Sequence, residues 1–136
     1  MNKNQGAGIL FYTDDSFLLL KKRKNNLWEV PGGKKRIDEK YYDTALRETT
    51  EEIGFFPKFK KTGFQLVETE KHQFKIYFAK VDKKFSCKLS DEHTDYKWIN
   101  FNNSKNYEMH VKIKKAVGFL QKTISPDEPG DWFTIF

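Results

Sequence analysis

Residues 33–55 read GKKRIDEKYYDTALRETTEEIGF, and this stretch decides what the chain can fold into. Its apolar and small residues recur at helical spacing and predict a helix that begins at Asp38 or Glu39 and runs to about Ile53. Gly54 fits the left-handed position that ends a helix, and Pro57 lies just beyond it. One face of this helix should pack on a core, and its members are Ala45, Leu46, Thr49, Thr50 and Ile53.

The same helix gathers carboxylates on one surface. Residues three and four apart share a helix face, so Glu48 should lie beside both Glu51 and Glu52. Like charges at this spacing repel, and Arg47, which neighbours Glu51, compensates only part of the charge. Oxygen-rich clusters suit hard cations such as Mg²⁺ or Mn²⁺. The pattern therefore favours a divalent-metal site, with a solvated, salt-bridged helix face as the alternative.

A proline and two glycines, Pro31, Gly32 and Gly33, come just before the predicted helix. We expect them to break regular structure, and they permit unusual backbone angles. A glycine leaves the backbone carbonyl unshielded, so the carbonyl of Gly32 could join the ligands of a metal. Lys34 and the two basic residues after it could meet phosphate oxygens.

The rest of the chain predicts short strands and one more helix. This order of elements indicates the α/β class, with a mixed sheet covered on its faces by helices. A chain of 136 residues is about one domain, so we take residues 1–136 as a single domain. The expected strands are residues 7–12, 17–21, 27–30, 64–68, 74–81 and 96–99, and the second helix covers about 108–124.

The net charge indicates which classes of partner the protein could bind, and the cysteine content indicates the redox compartment. Lys plus Arg total 25 against 19 Asp plus Glu, a net charge of +6 that favours nucleotides, polyphosphates, RNA or acidic membranes. A merely solvated surface explains the same charge. Cys87 is the single cysteine, so no intrachain disulfide can form and a reducing, cytoplasmic location is expected. No apolar run reaches the ~20 residues of a membrane span, so no membrane partner is expected.

Residues 33–55 resemble the Nudix box, written G-x5-E-x7-R-E-U-x-E-E-x-G-U, where U is a bulky apolar residue. Every fixed position matches, and the departure is Thr49 at the first U position. The preceding LWEVPGG also resembles the segment that leads into the box in many members. The resemblance implies an α/β/α sandwich of the Nudix type. It also implies hydrolysis of a phosphoanhydride bond in a nucleoside diphosphate linked to another group, with Mg²⁺ as cofactor and Mn²⁺ as a possible substitute.

The resemblance also assigns metal ligands to positions of this chain. Glu51 and Glu52 resemble the family's metal-ligand pair, and the carbonyl of Gly32 resembles its backbone ligand. Glu48 resembles the carboxylate that binds metal or deprotonates the attacking water. Members of the family differ in which carboxylate is the base, and some take it from outside the box.

Three further residues resemble catalytic or supporting positions of the family. Arg47 resembles the arginine that orients a box glutamate, and Glu39 resembles a residue that braces the loop. Glu92, in the segment LSDEHTDYKWI, resembles a glutamate that many members carry in the corresponding loop as metal ligand or base. An exposed loop acid is the alternative for Glu92. His93 could orient a phosphate or a water, but we expect a surface histidine.

Substrate contacts are expected outside the helix. Trp28 is the first candidate to stack on a nucleobase, with core packing as the alternative. Arg23 lies in a basic loop that could bind a polyphosphate or an RNA 5′ end. Gly33 and Lys34 should face the phosphates. Weaker stacking candidates, each more typical of a core, are Phe11, Phe74, Tyr77 and Phe78.

Among relatives, a MutT-like nucleoside triphosphate pyrophosphohydrolase is the plainest interpretation. Dinucleoside polyphosphates, nucleotide sugars and capped or triphosphorylated RNA stay open as substrates. Two other classes compete with the enzyme: a Nudix-like module that binds a nucleotide without cutting it, and a basic nucleic-acid-binding domain with an incidental acidic helix. The intact box argues against the first, and no nucleic-acid-binding motif supports the second.

The end of the chain, residues 125–136, is rich in aromatic and apolar residues. Such a segment is expected to pack on the domain or across a homodimer interface, and the sequence leaves both open. Its apolar members are Trp132, Phe133, Ile135 and Phe136.

Overall fold

A mixed sheet lies between two helices in the computed structural model, which describes residues 3–123. The helices are α1 Tyr41–Ile53 and α2 Val111–Thr123, and a short 3₁₀ helix, Phe101–Asn106, precedes α2. Within this part of the chain the sheet has seven strands. They are β1 Asn4–Tyr12, β2 Ser16–Lys22, β3 Trp28–Glu29, β4 Gly32–Lys34, β5 Lys60–Glu68, β6 His72–Lys80 and β7 His93–Asn100.

β1 is the centre of the sheet. It runs parallel to β6 and antiparallel to β2 and β4, and the main strand order is β3-β2-β1-β6-β5. β7 pairs antiparallel with β2. β4, which leads to α1, therefore lies beside β1, and β7, which follows the Glu92 loop, lies beside β2. Because β1 and β2 are neighbours, the start of α1 and the Glu92 loop come to the same part of the sheet.

Alternation along the strands fills two separate cores. On one face, Ala7 and Ile9 of β1 pack with Ala45 and Ile53 of α1. On the other face, side chains that include Leu10 of β1 pack with the apolar stripe of α2. Successive side chains of a strand point to opposite faces, so the central strands are buried on both sides. The structure therefore confirms a mixed sheet flanked by helices.

α1 begins later than the sequence predicts. Glu39 lies in the loop before the helix, because its carboxylate accepts hydrogen bonds from the Arg36 backbone N–H at 3.1 Å and the Thr44 hydroxyl at 2.9 Å. The expected stop is confirmed, since Gly54 ends the helix with a φ of 86° in the left-handed region. Thr50, expected on the core face, is exposed.

The expectation that Gly32 and Gly33 break regular structure was wrong, and neither glycine uses the unusual angles that it permits. Both residues belong to β4, which pairs with β1, and among residues 3–123 the glycine with positive φ is Gly54. The glycines are required by close approach instead. A Cβ on Gly32 would lie 2.5 Å from the Ala7 carbonyl oxygen, closer than a side chain tolerates.

Strands and helices otherwise lie where expected, with ends displaced by a few residues. The 3₁₀ helix was not predicted.

Cys87 is partly buried, and burial raises the pKa of its thiol to about 12. Within the described part of the chain, no helix is long and apolar enough to cross a membrane. The expectations for residues 124–136, including the packing of the aromatic end, fall outside the described residues.

Candidate active site

Glu52 points inward from α1 and is only 2% exposed. Its Oε1 accepts a hydrogen bond from the backbone N–H of Gly32 at 3.1 Å, and its Oε2 is buried without a hydrogen-bond partner among the described residues. Burial is the main cause that raises the pKa of this carboxyl, and the neighbouring Glu48 and Glu92 add to the effect. A buried carboxylate with a free oxygen is costly unless a cation or a proton reaches it.

Glu92 and His93 lie against this buried carboxylate. One ligand atom from each of the three side chains lies within 4.8 Å of the other two. The Nε2 atom of His93 is 3.7 Å from Glu52 Oε1, and burial lowers the pKa of the imidazole. The expectation that His93 lies on the surface was wrong: it is 3% exposed, because it opens β7 where that strand pairs with Lys22 of β2.

Arg47 holds two further carboxylates, Glu48 on the same helix and Glu39 in the loop before it. Its Nε and Nη2 atoms donate to the two oxygens of Glu39 at 2.7 and 2.8 Å, and its Nη1 atom donates to Glu48 Oε1 at 3.0 Å. Nη2 also reaches the carbonyl of Lys34 at 3.2 Å. The bidentate geometry holds the planar guanidinium in one orientation. Arg47 thus ties the loop, β4 and Glu48 together, in the arrangement expected for an orienting arginine.

Gly33 packs directly on the carboxylate of Glu48. A Cβ at this position would lie 2.4 Å from Glu48 Cδ, so any larger residue would push the carboxylate away. The side chain of Glu48 is 16% exposed. A glycine in β4 and the arginine beside it therefore fix one glutamate from two sides.

Glu51 is placed differently from its two neighbours in the helix. Its side chain is 57% exposed, and its Oε1 lies 3.8 Å from Arg47 Nη1. Glu48 lies close enough to Glu52 to help raise the pKa of the Glu52 carboxyl, whereas Glu51 faces solvent on the side of Arg47. Its role as a metal ligand stays a prediction, as does that of the Gly32 carbonyl.

The donor atoms around Glu52 fit a divalent cation. An unpartnered carboxylate oxygen lies beside a second carboxylate and an imidazole of lowered pKa, and carboxylate oxygens are the ligands that Mg²⁺ and Mn²⁺ prefer. The sequence indicated the glutamates of the helix, and it offered His93 as a residue that could orient a phosphate or a water but not as one buried against Glu52.

A cavity of about 540 Å³ is lined by Lys22, which lies opposite His93 in the sheet, and by Gly33, which packs on Glu48. Gly33 and Lys34, both predicted to contact substrate, line it, and Phe74 forms part of its wall. Its described lining contains four lysines and no acidic residue. The lysines are Lys22, Lys24, Lys34 and Lys112.

Two predicted substrate contacts lie outside this cavity. Trp28 is 7% exposed and packs edge to face on Tyr107 with ring centres 5.5 Å apart, so its rings belong to the core and offer little surface to a base. Arg23 donates from Nε to the Asp91 carbonyl at 2.8 Å and, with Glu92, lines a second cavity of about 360 Å³. Phe11 and Phe78 are fully buried, as their strand positions favoured.

Comparison with known proteins places these features in context. The model of the NUDIX domain family matches residues 2–118. A Nudix hydrolase of Bacillus subtilis, YvcI, is 28% identical over 123 residues, which covers 85% of this chain and 78% of the relative. An 8-oxo-dGTP diphosphatase of Buchnera aphidicola is 26% identical over 121 residues, covering 86% and 92%.

Solved structures show the same fold. The MutT protein of Methanosarcina mazei superposes with a TM-score of 0.71 at 22% identity, covering 90% of this chain and 96% of that one. A binary complex of the Ap4A hydrolase of C. elegans also gives a TM-score of 0.71, at 21% identity over 84% and 92% of the two chains. At such identities the likeness concerns the fold.

Proposed function

The chain belongs to the Nudix hydrolase family, and we propose that it is a metal-dependent, MutT-like pyrophosphohydrolase of nucleoside triphosphates. The reaction would break one phosphoanhydride bond and release a nucleoside monophosphate and pyrophosphate. Membership of the family makes the chain a pyrophosphohydrolase; the triphosphate as substrate and Mg²⁺ as cofactor are proposals. We further propose that residues 1–136 act as one domain in the cytoplasm.

The observation that carries the proposal is the buried, unpartnered oxygen of Glu52, whose hydrogen-bond donor Gly32 is followed by Gly33 in the wall of a lysine-lined cavity. A carboxylate that is left without a protein partner, next to Glu92 and an imidazole of lowered pKa, suits a cation. The cavity suits a polyanion, because its described walls carry four lysines. Cation and polyanion together describe a metal–nucleotide complex.

Glu48, Glu51 and Glu52, with the carbonyl of Gly32, would hold the metal, and Glu92 is a further candidate ligand. When bound, divalent cations neutralise the diphosphate and lower the pKa of water. The chain contributes the carboxylates at fixed positions. Glu52 is held by the Gly32 N–H, and Glu48 is held by Arg47.

Glu48 is our first candidate for the general base. Arg47 and Gly33 fix its carboxylate, and removal of a proton by a positioned base is typically worth 10²–10⁴-fold in rate. Glu92 is the alternative base, since it is exposed and lies against Glu52. Arg47 and Glu39 are positioning residues, because their contacts are to the loop and to Glu48 rather than to the cavity.

The triphosphate is the preferred substrate for two reasons. A relative that covers 86% of this chain is named as an 8-oxo-dGTP diphosphatase. The cavity of about 540 Å³ has the size of a small-molecule site, with Phe74 and His110 available to a base and lysines to phosphates. Dinucleoside polyphosphates and nucleotide sugars are the next candidates, and an RNA 5′ end and a homodimer remain partners to test.

A substrate panel tests the proposal. Purified protein is incubated with nucleoside triphosphates, including 8-oxo-dGTP, and with diadenosine polyphosphates, ADP-ribose and triphosphorylated RNA, each with Mg²⁺, Mn²⁺ or EDTA. We expect nucleoside monophosphate and pyrophosphate from triphosphates, and no product in EDTA. Cleavage confined to another compound would replace the substrate, and nucleotide binding without cleavage under either metal would leave a binding module.

A further inference from the structure

Glu29 is a buried carboxylate that the proposed reaction does not use. It is 6% exposed, and each of its oxygens meets one lysine: Oε2 lies 2.7 Å from Lys22 Nζ, and Oε1 lies 3.2 Å from Lys112 Nζ. Burial alone would raise the pKa of this carboxyl, but the two lysines outweigh it and lower the pKa. Glu29 is therefore a charged group that bridges a strand of the sheet and the first turn of α2.

Both lysines reach the cavity, whereas Glu29 is not among its described lining residues. The side chain of Lys22 is 39% exposed and that of Lys112 is 20% exposed, whereas that of Glu29 is 8% exposed, so both lysines reach the cavity from a carboxylate that is more deeply buried. Lys112 Nζ also lies 3.9 Å from the centre of the Phe74 ring, a cation–π contact on the cavity wall. The carboxylate and the ring limit where each ammonium can go.

Lys22 connects this group with the candidate metal site. The β2–β7 pairing is irregular between Lys21 and Lys22, and this shift sets Lys22 opposite His93. Burial lowers the pKa of Lys22, but the hydrogen bond and charge of Glu29 more than restore it, and Glu52 and Glu92 contribute as well. Lys22 thus lines the cavity and is near enough to Glu52 and Glu92 to feel their charge.

We propose that Glu29 is a positioning residue that holds Lys22 and Lys112 as a two-ammonium clamp for a phosphate group of the nucleotide. The proposal rests on the proposed function, since it concerns the same cavity. Two lysine ammoniums this close would repel each other and swing apart in water. The shared carboxylate keeps them together and leaves one net positive charge for the phosphate. A long lysine side chain loses much rotamer freedom on binding, so a preset orientation lowers that cost.

Binding of ADP in EDTA tests the clamp without any turnover, so the result does not depend on whether the protein hydrolyses triphosphates. Titration calorimetry compares wild type with Lys112→Met and Lys22→Met. The matched control is Lys115→Met, which removes the same charge from an exposed position of α2. We expect each clamp variant to weaken ADP binding about tenfold, the size of one lost charge-assisted hydrogen bond, and the control to stay within twofold of wild type. Unchanged affinity in Lys112→Met and Lys22→Met would overturn the clamp.

Glu29→Gln then tests the positioning role. We expect weaker ADP binding, and no additional weakening when Glu29→Gln is combined with both lysine substitutions, because Glu29 acts through those lysines. If Glu29 acted only through its negative charge, its loss would tighten ADP binding. Tighter ADP binding in Glu29→Gln would therefore contradict the proposal. If Glu29→Gln fails to fold, Glu29→Asp is used in its place. The aspartate side chain is too short to contact both ammonium groups, so the same weakening of ADP binding is expected. With any substrate that the protein cleaves, KM should rise in these variants while kcat stays within about twofold.

Discussion

The carboxylates in and just before α1 are of two kinds: two are paired with an arginine, and one has a buried oxygen without a partner among the described residues. Glu39 and Glu48 are paired with Arg47, and the guanidinium hydrogen bond is the main cause that lowers the pKa of Glu39 to about 2. Glu52, one turn along the same helix, is buried and keeps an oxygen without a partner in the described structure, and burial raises its pKa. The first group is satisfied within the chain, whereas the second needs a ligand.

The difference shows what each group is for. A paired carboxylate with a fixed arginine is a brace, and it holds its shape whether or not a ligand is bound. A buried carboxylate without a pair destabilises the free protein and gains stability when a cation binds. Loss of a member from either group should therefore have different consequences for stability, for the metal response and for turnover.

Glu52→Gln should give the largest loss of activity. The substitution keeps the shape of the side chain, and the amide oxygen of glutamine can still accept the hydrogen bond from the Gly32 N–H. The negative charge that attracts the cation is lost. We expect kcat to fall on the order of 10²–10³-fold, as for loss of one preorganised charge-stabilising group. Steady-state assays with saturating Mg²⁺ on the best substrate of the panel measure the change.

Thermal unfolding supplies the second half of this test. In EDTA, Glu52→Gln should be at least as stable as wild type, because burial raises the pKa of Glu52 and the metal-free carboxyl is then protonated and as neutral as the amide that replaces it. Mg²⁺ or Mn²⁺ should raise the Tm of wild type and of Glu70→Gln, an exposed glutamate outside the site, but not that of Glu52→Gln. A variant that still gains Tm with metal would show that the cation binds elsewhere.

The sequence predicted the paired group better than the unpaired one. Glu39, Arg47 and Glu48 lie within one loop and one helix, where spacing along the chain determines which side chains meet. The burial of Glu52 and the approach of His93 depend on β7 pairing with β2, a contact between distant segments that local pattern does not encode.

The same limit applies to two neighbouring residues of β3. For Trp28 the sequence left stacking on a base and core packing open, and a backbone hydrogen bond to Glu108 and the Tyr107 ring hold it in the core. Glu29 beside it gave no signal, because its partners Lys22 and Lys112 come from a different strand and from a helix near the end of the described chain.

Arg47→Lys should have a smaller effect than Glu52→Gln, because it weakens the brace without removing a carboxylate. Lysine keeps the charge but loses the two-point contact with Glu39 and the reach to Glu48. We expect kcat to fall about 10–100-fold, the range for loss of a residue that orients a ligand, while metal still raises Tm.

The pH dependence of stability gives Arg47→Lys a readout of its own. The folded pKa of Glu39, about 2, lies below its ordinary value of 4.5, so Glu39 stabilises the wild type above pH 4.5 and loses this effect as pH falls toward 2. In Arg47→Lys that contribution is reduced. The difference in Tm between the two proteins should therefore shrink as pH falls from 5 to 2, and a constant difference would contradict the pairing.

Thr49→Val should have the smallest effect, and it separates two kinds of unpartnered oxygen. Thr49 is fully buried, its hydroxyl has no partner among the described residues, and it occupies the box position where the family has a bulky apolar residue. Valine has nearly the same shape, so the substitution removes a buried unsatisfied group and should raise the free energy of unfolding by about 1 kcal/mol. Urea unfolding measures this, and kcat should stay unchanged because Thr49 faces the core rather than the cavity. If Thr49→Val lost activity as Glu52→Gln does, an unpartnered oxygen on α1 would no longer distinguish a ligand site from a packing defect.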